Sequence, residues 1–154
     1  MRKTFPNGKV TGTERDCLSV SESDSNIICL VNDIINEAYV RRASDIHIEP
    51  DIKDSWVCVR LRVDGECIPF STYPYDYRSA IVSRIKIMSN LDITERRLSQ
   101  GGKIKHSILD AGDLELRVAT TTHGQVEDVV LRILTRGKIM TLDELQMKPA
   151  TGKA

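Results

Sequence analysis

Apolar residues recur at Ile27, Val31, Ile34 and Ala38, a spacing of three or four that lines side chains along one helical face, and Ile28, Ile35 and Tyr39 widen the stripe. Asp24 or Ser25 can cap such a helix, and the pattern ends near Arg42. At residues 43–50, ASDIHIEP, the period drops to two: Ile46 and Ile48 are set to face a core while Asp45, His47 and Glu49 face out, and Pro50 closes the strand. The run WVCVRLRVDGECIPF keeps that alternation, with Val57, Val59, Leu61 and Val63 against Trp56, Cys58, Arg60 and Arg62, and Asp64-Gly65 predicts a tight hairpin turn. Helical spacing returns over residues 75–91 through Ile81, Val82, Ile85 and Met88, with a stop near Asn90.

Next comes LDITERRLSQGGKIKH, which reads as an irregular polar segment carrying Arg96, Arg97 and the Gly101-Gly102 pair. LELRVAT and VEDVVLRIL are two further strands, the first with Leu114, Leu116 and Val118 inward and Glu115 and Arg117 outward. The order helix, strands, helix, strands predicts an α+β fold, with helices against one face of a mainly antiparallel sheet. Residues 1–25 are polar and aperiodic, a flexible lead-in; residues 26–135 form one domain; residues 136–154 read as a connector.

Composition narrows the function. The 22 basic and 22 acidic residues balance, so no broad electrostatic footprint for nucleic acid or an anionic membrane is expected. No apolar run approaches membrane-spanning length and the first residues lack the apolar centre of a signal peptide, which predicts a cytoplasmic protein. Cys17, Cys29, Cys58 and Cys67 form no C-x-x-C pair and are expected to be thiols, with neither zinc nor disulfide. Asp45, His47 and Glu49 on one strand face could begin a metal site, but further ligands would be needed and none is placed by the sequence.

No catalytic machinery is recognisable. A P-loop reading of Gly152-Lys153-Ala154 fails because Met147 and Ala154 stand where a glycine and a Ser or Thr are needed, and Gly101-Gly102-Lys103 fails equally. There is no G-x-S-x-G or H-E-x-x-H. What remains is a set of arginines on strands or loops: Arg60, Arg62, Arg96, Arg97, Arg117 and Arg132. Surface ion pairs are one explanation. Recognition of an anion is the other, because a guanidinium fork binds phosphate bidentately.

In this order and spacing, ASDIHIEP, VRLRVDG, SRIKIMSNLDITERR and VVLRIL closely resemble the N-terminal domain that precedes the motor of the type II secretion and type IV pilus assembly ATPases, in the secretion and pilus-extension branch. The likeness covers about residues 26–145. It implies a PAS-like antiparallel sheet with helices packed on it, linked to a RecA-like ATPase domain that carries the Walker motifs and often a tetracysteine zinc site. TLDELQM resembles the lead into that motor, so the chain is expected to be an excised domain or a truncated product without the catalytic half. The family reaches nucleotide phosphates with arginines of this domain. Arg117, in Arg117-Val118-Ala119-Thr120, matches one of them; Lys103 stands where an arginine is usual; Arg132 is the third residue expected to bind nucleotide. Thr122 and Val126 depart from the family's proline and glycine.

The resemblance further implies that ATP is bound only together with the motor domain, that this chain holds no metal, and that its partners are the RecA-like domain of the same or a neighbouring subunit, a hexamer, and inner-membrane platform components of a secretion or pilus system. Through them it would stand at the inner-membrane face. A free-standing PAS-like interaction or sensor module is the alternative reading.

Overall fold

Helix α1 (Glu22–Val40) and helix α2 (Arg78–Met88) flank strands β1 (Asp45–Asp51), β2 (Trp56–Val63), β3 (Glu66–Pro74), β4 (Gln100–Ile108), β5 (Gly112–His123) and β6 (Val126–Leu134) in a computed structural model that describes residues 22–134. Of the lead-in expected over residues 1–25, residues 22–25 belong to α1; the rest of it and the connector expected over residues 136–154 lie outside the described residues.

α1 begins at Glu22, ahead of the caps expected at Asp24 and Ser25. Both helices end the same way. Arg42 (φ 56°) and Asn90 (φ 55°) adopt the left-handed conformation, and the next amides return to the helix, Ala43 N to Ala38 O at 2.9 Å and Leu91 N to Lys86 O at 2.9 Å. The second helical segment, read as residues 75–91, opens as a 3-10 turn (Tyr75–Tyr77) before α2.

The six strands form one sheet in the order β3-β2-β1-β6-β5-β4, and every neighbouring pair is antiparallel. The first and last strands therefore lie side by side at its centre. Their alternating residues bury one face: Ile46, Ile48, Val57, Val59, Leu61, Leu116, Val118, Val129 and Leu131 join Val31, Ile34, Ile35 and Ala38 of α1 and Ile81 and Ile85 of α2 in one core. The fold is α+β, with a PAS-like antiparallel sheet and helices packed on it, as the sequence predicts. Asp64 (φ 51°) and Gly65 (φ 82°) make the expected tight turn of β2–β3.

Four local expectations are corrected. The segment read as irregular contains β4, whose Ile104 alone is buried while Gly101, Lys103 and Lys105 are exposed. An edge strand needs little apolar patterning, because one neighbour and one inward residue hold it. β1 runs one residue past Pro50: its pairing with β6 ends at Ile48, so Pro50 is paired only with Val57 of β2. Asp45 is buried, at 6% exposure, although its side chain belongs to the outer face. Cys29 is disulfide-bonded, against the expectation of thiols throughout, while among the described residues Cys58 and Cys67 are free.

Candidate functional site

Cross-strand register turns residues that are far apart in sequence into a single row on the outer face. Arg62 of β2 pairs with Asp45 of β1, Asp45 with Arg132 of β6, Arg132 with Arg117 of β5, and Arg117 with Lys103 of β4. Directly opposed residues in an antiparallel ladder hold their Cβ atoms about 4.5–5.5 Å apart. The three residues that the sequence proposed for nucleotide binding, Lys103, Arg117 and Arg132, are thus consecutive members of one row of five, in which a single carboxylate faces four cations.

That carboxylate is fully used. Arg132 Nε donates to Asp45 Oδ1 at 2.9 Å, Ser44 Oγ donates to Asp45 Oδ2 at 2.9 Å, and Arg62 Nε stands 3.8 Å from Oδ2. Burial acts to raise the Asp45 pKa, but the hydrogen bonds from Arg132 and Ser44 and the charges of Arg132 and Arg62 outweigh it, leaving the carboxyl below its ordinary value. The same bond holds the Arg132 guanidinium above its ordinary value. At the other end, Lys103 Nζ lies 2.9 Å from Glu115 Oε1 on the exposed surface. Between them Arg117 is exposed and, among the described residues, has no carboxylate within ion-pair distance. It faces a cation on either side.

The remaining arginines separate into other roles. Arg60 Nη2 grips both oxygens of Glu49, at 2.8 and 2.6 Å, which is the surface ion pair that the plainer reading expected. Arg96 and Arg97 lie on the loop between α2 and β4, away from the row. Asp45 and Glu49 of that strand face are engaged with arginines rather than gathered for a metal, and among the described residues no group of three His, Cys, Asp or Glu side chains could hold one.

Sequence reasoning missed Asp45 and Gln100. Asp45 looked like one more outward polar residue, and only the register reveals it as the anchor of Arg132. Gln100 opens β4 and holds the preceding loop: its Nε2 donates to Asp92 O at 2.9 Å and Glu95 O at 3.2 Å, and its Oε1 accepts from Asp92 N at 2.9 Å. Among the described residues no helix is long and apolar enough to cross a membrane.

A family model described as Type II/IV secretion system protein matches residues 20–154. The chain is 40% identical over 124 residues to the type IV pilus assembly ATPase PilB of Myxococcus xanthus, a match covering 80% of this chain and 22% of that protein. It is 43% identical over 118 residues to the type II secretion system protein E of Xanthomonas campestris pv. campestris, covering 77% of this chain and 20% of the relative. PilB of Thermus thermophilus is 40% identical over 120 residues, 77% of this chain and 13% of its own length. The chain thus spans between 13% and 22% of the length of these three relatives, and with a family match over nearly all of its residues it belongs to the type II/IV secretion system protein family.

Proposed function

We propose that this chain is the coupling domain of a hexameric secretion or pilus assembly ATPase, and that its outer-face row presents Arg117, flanked by Lys103 and Arg132, to the phosphates of ATP held on the RecA-like motor domain of the same or a neighbouring subunit. The observation that carries the reading is the position of Arg117, opposite Arg132 on one side and Lys103 on the other. Like charges directly opposed across a ladder destabilise a sheet. Such a row is kept at lower cost when an anion neutralises it, and a phosphate chain is an anion that a guanidinium recognises bidentately. Platform components at the inner-membrane face are the other partners of this reading, and the chain works on the cytoplasmic side.

The roles differ by chemistry. Arg132 is held by Asp45 and so oriented before any ligand arrives. Arg117 has no such tether among the described residues and is the group available to close on phosphate. Lys103 supplies charge without a fork. The chain's own sequence has no P-loop to cradle phosphates with backbone amides, so hydrolysis belongs to the motor half.

The test is steady-state ATP hydrolysis by this chain fused to its motor domain. Arg117→Ala should lower kcat by about 10³-fold or more, the effect of removing a trans-acting arginine from phosphoryl transfer. Lys103→Arg should leave the rate equal or raise it. Unchanged hydrolysis in Arg117→Ala, with the domain folded, overturns the assignment.

A further inference from the structure

The Glu95-Arg96-Arg97 loop is not used by the outer-face row, and it borders a small cavity of about 30 Å³ between α2 and the β5–β6 turn. Arg78, Ser79 and Ser83 of α2, Ile93 and Arg96 of the loop, and Glu127 of β6 line it, with Lys86 at its base. Glu127 shares the parity of Val129 and Leu131, so the cavity is on the helix-bearing face, while Arg132 lies on the opposite face. They are five positions apart on β6, about 16 Å at strand rise.

Charge at this cavity is unbalanced. Lys86, 1% exposed, gives its ammonium to Glu127 Oε1 at 2.6 Å and to Glu95 O at 2.6 Å, which uses the one carboxylate of the lining. Arg78 and Arg96 have no ion pair among the described residues; the Arg78 guanidinium lies over the Tyr75 ring at 4.2 Å. Glu95, the natural partner for its arginine neighbours, turns its Oε1 to the backbone amides of Arg97 at 2.6 Å and Leu98 at 3.1 Å.

The loop is also held in place. Glu95 O accepts from Lys86 and Gln100, Arg96 O accepts from Thr122 Oγ1 at 3.2 Å, and Asp92 Oδ1 accepts from Thr94 N and Oγ1 at 2.9 and 2.6 Å. Arg96 is therefore presented from a backbone fixed on several sides. At the rim Ile93 is 41% exposed and, further along the loop, Leu98 is 67% exposed.

We propose that this cavity is a docking site for a protein segment that places an Asp or Glu carboxylate between Arg78 and Arg96 and lays an apolar neighbour on Ile93. Two unpaired guanidinium groups call for an anion. The small volume suits a planar carboxylate, and the apolar rim suits a polypeptide carrying it, in the pattern of an arginine-rich interface with an apolar centre. The site is separate from the nucleotide reading of the outer face.

The test is an amide NMR titration of the full ¹⁵N-labelled chain with the capped peptide Ac-Leu-Glu-Leu-NH2, its Gln-containing twin, and inorganic phosphate. The glutamate peptide should shift Ser79, Ser83, Ile93 and Arg96 saturably, with the Gln twin at least tenfold weaker. Arg96→Gln should weaken the glutamate peptide at least tenfold, whereas Lys53→Gln, in the β1–β2 turn, should not alter it. Retained amide dispersion shows that the variants are folded. No saturable shift, an equal response to the Gln twin, or unaltered binding by Arg96→Gln overturns the proposal; saturation by phosphate as tight as by the peptide overturns the choice of a protein carboxylate.

Discussion

Arg132 and Arg117 stand directly opposite each other across the β5–β6 ladder, yet only Arg132 is tied to a carboxylate, donating to Asp45 Oδ1 at 2.9 Å. The two arginines should therefore differ in what they do for the fold. Arg117→Ala relieves a like-charge pair and sits at an exposed position, so urea unfolding should show stability within about 0.5 kcal/mol of the parent or slightly higher. Arg132→Ala withdraws the main partner of a buried carboxylate and should lower the urea midpoint. A drop for Arg117→Ala larger than that for Arg132→Ala would contradict this division of labour.

The buried pair of Lys86 and Glu127 predicts an asymmetry between single and double replacement. Their side chains are 1% and 10% exposed, and the pair joins α2 to β6. Glu127→Ala strands the ammonium with only the Glu95 carbonyl and should destabilise by about 3 kcal/mol, the scale for breaking a buried ion pair. Lys86→Met combined with Glu127→Leu should recover most of that loss. Equal loss in the single and double variants would show that the site needs its charges.

The adjacent glycines of β4 should respond unequally to a methyl group. A Cβ at Gly102 would meet Ser89 O at 2.8 Å and Leu91 Cδ2 at 3.0 Å, whereas one at Gly101 would meet only Val118 O, at 3.7 Å. Gly102→Ala should cost about 1–3 kcal/mol by forcing the end of α2 away from β4, and Gly101→Ala should be close to neutral. Thermal unfolding of the two variants side by side tests this.

Stability should fall on mild acidification, and His106 should account for part of it. Burial lowers the His106 pKa below its ordinary value, and Asn36 Oδ1 of α1 is 2.9 Å from its Nε2. Above about pH 6.5 both folded and unfolded chains carry the neutral ring and the contribution is fully present. As pH falls below that value the unfolded chain takes up the proton first, so stability is lost progressively toward the depressed folded-state pKa. His106→Gln should flatten this part of the pH profile measured by urea unfolding. Asp45, whose pKa is lowered, acts in a separate window: its contribution is present above about pH 3.9 and lost as pH falls through its folded-state value.

The division between faces was legible in the chain because it needs only a local period. Val57, Val59 and Leu61 are buried and Arg62 is exposed, as alternation requires, and the stripe through Val31, Ile34 and Ala38 is the buried face of α1. The turn at Asp64-Gly65 and the stop at Asn90 followed from residues that tolerate positive φ. β4 was not legible: with one buried residue and two glycines it carries no periodic signal, and its strand conformation comes from hydrogen bonding to β5.

What the sequence by itself determined is the elements other than β4, the face their alternating residues take, and, through four linked motifs, the family. What only the tertiary structure decided is who meets whom. Asp45 and Arg132 are 87 residues apart, Lys86 and Glu127 are 41 apart, and neither pairing has a local signature, because strand order and register are set by the packing of the whole sheet. The same register placed Lys103 and Arg132 on either side of Arg117 and left Asp45 to neutralise only one end of the row. A period of two tells which way a side chain points; the charge it will face is chosen by the neighbouring strand.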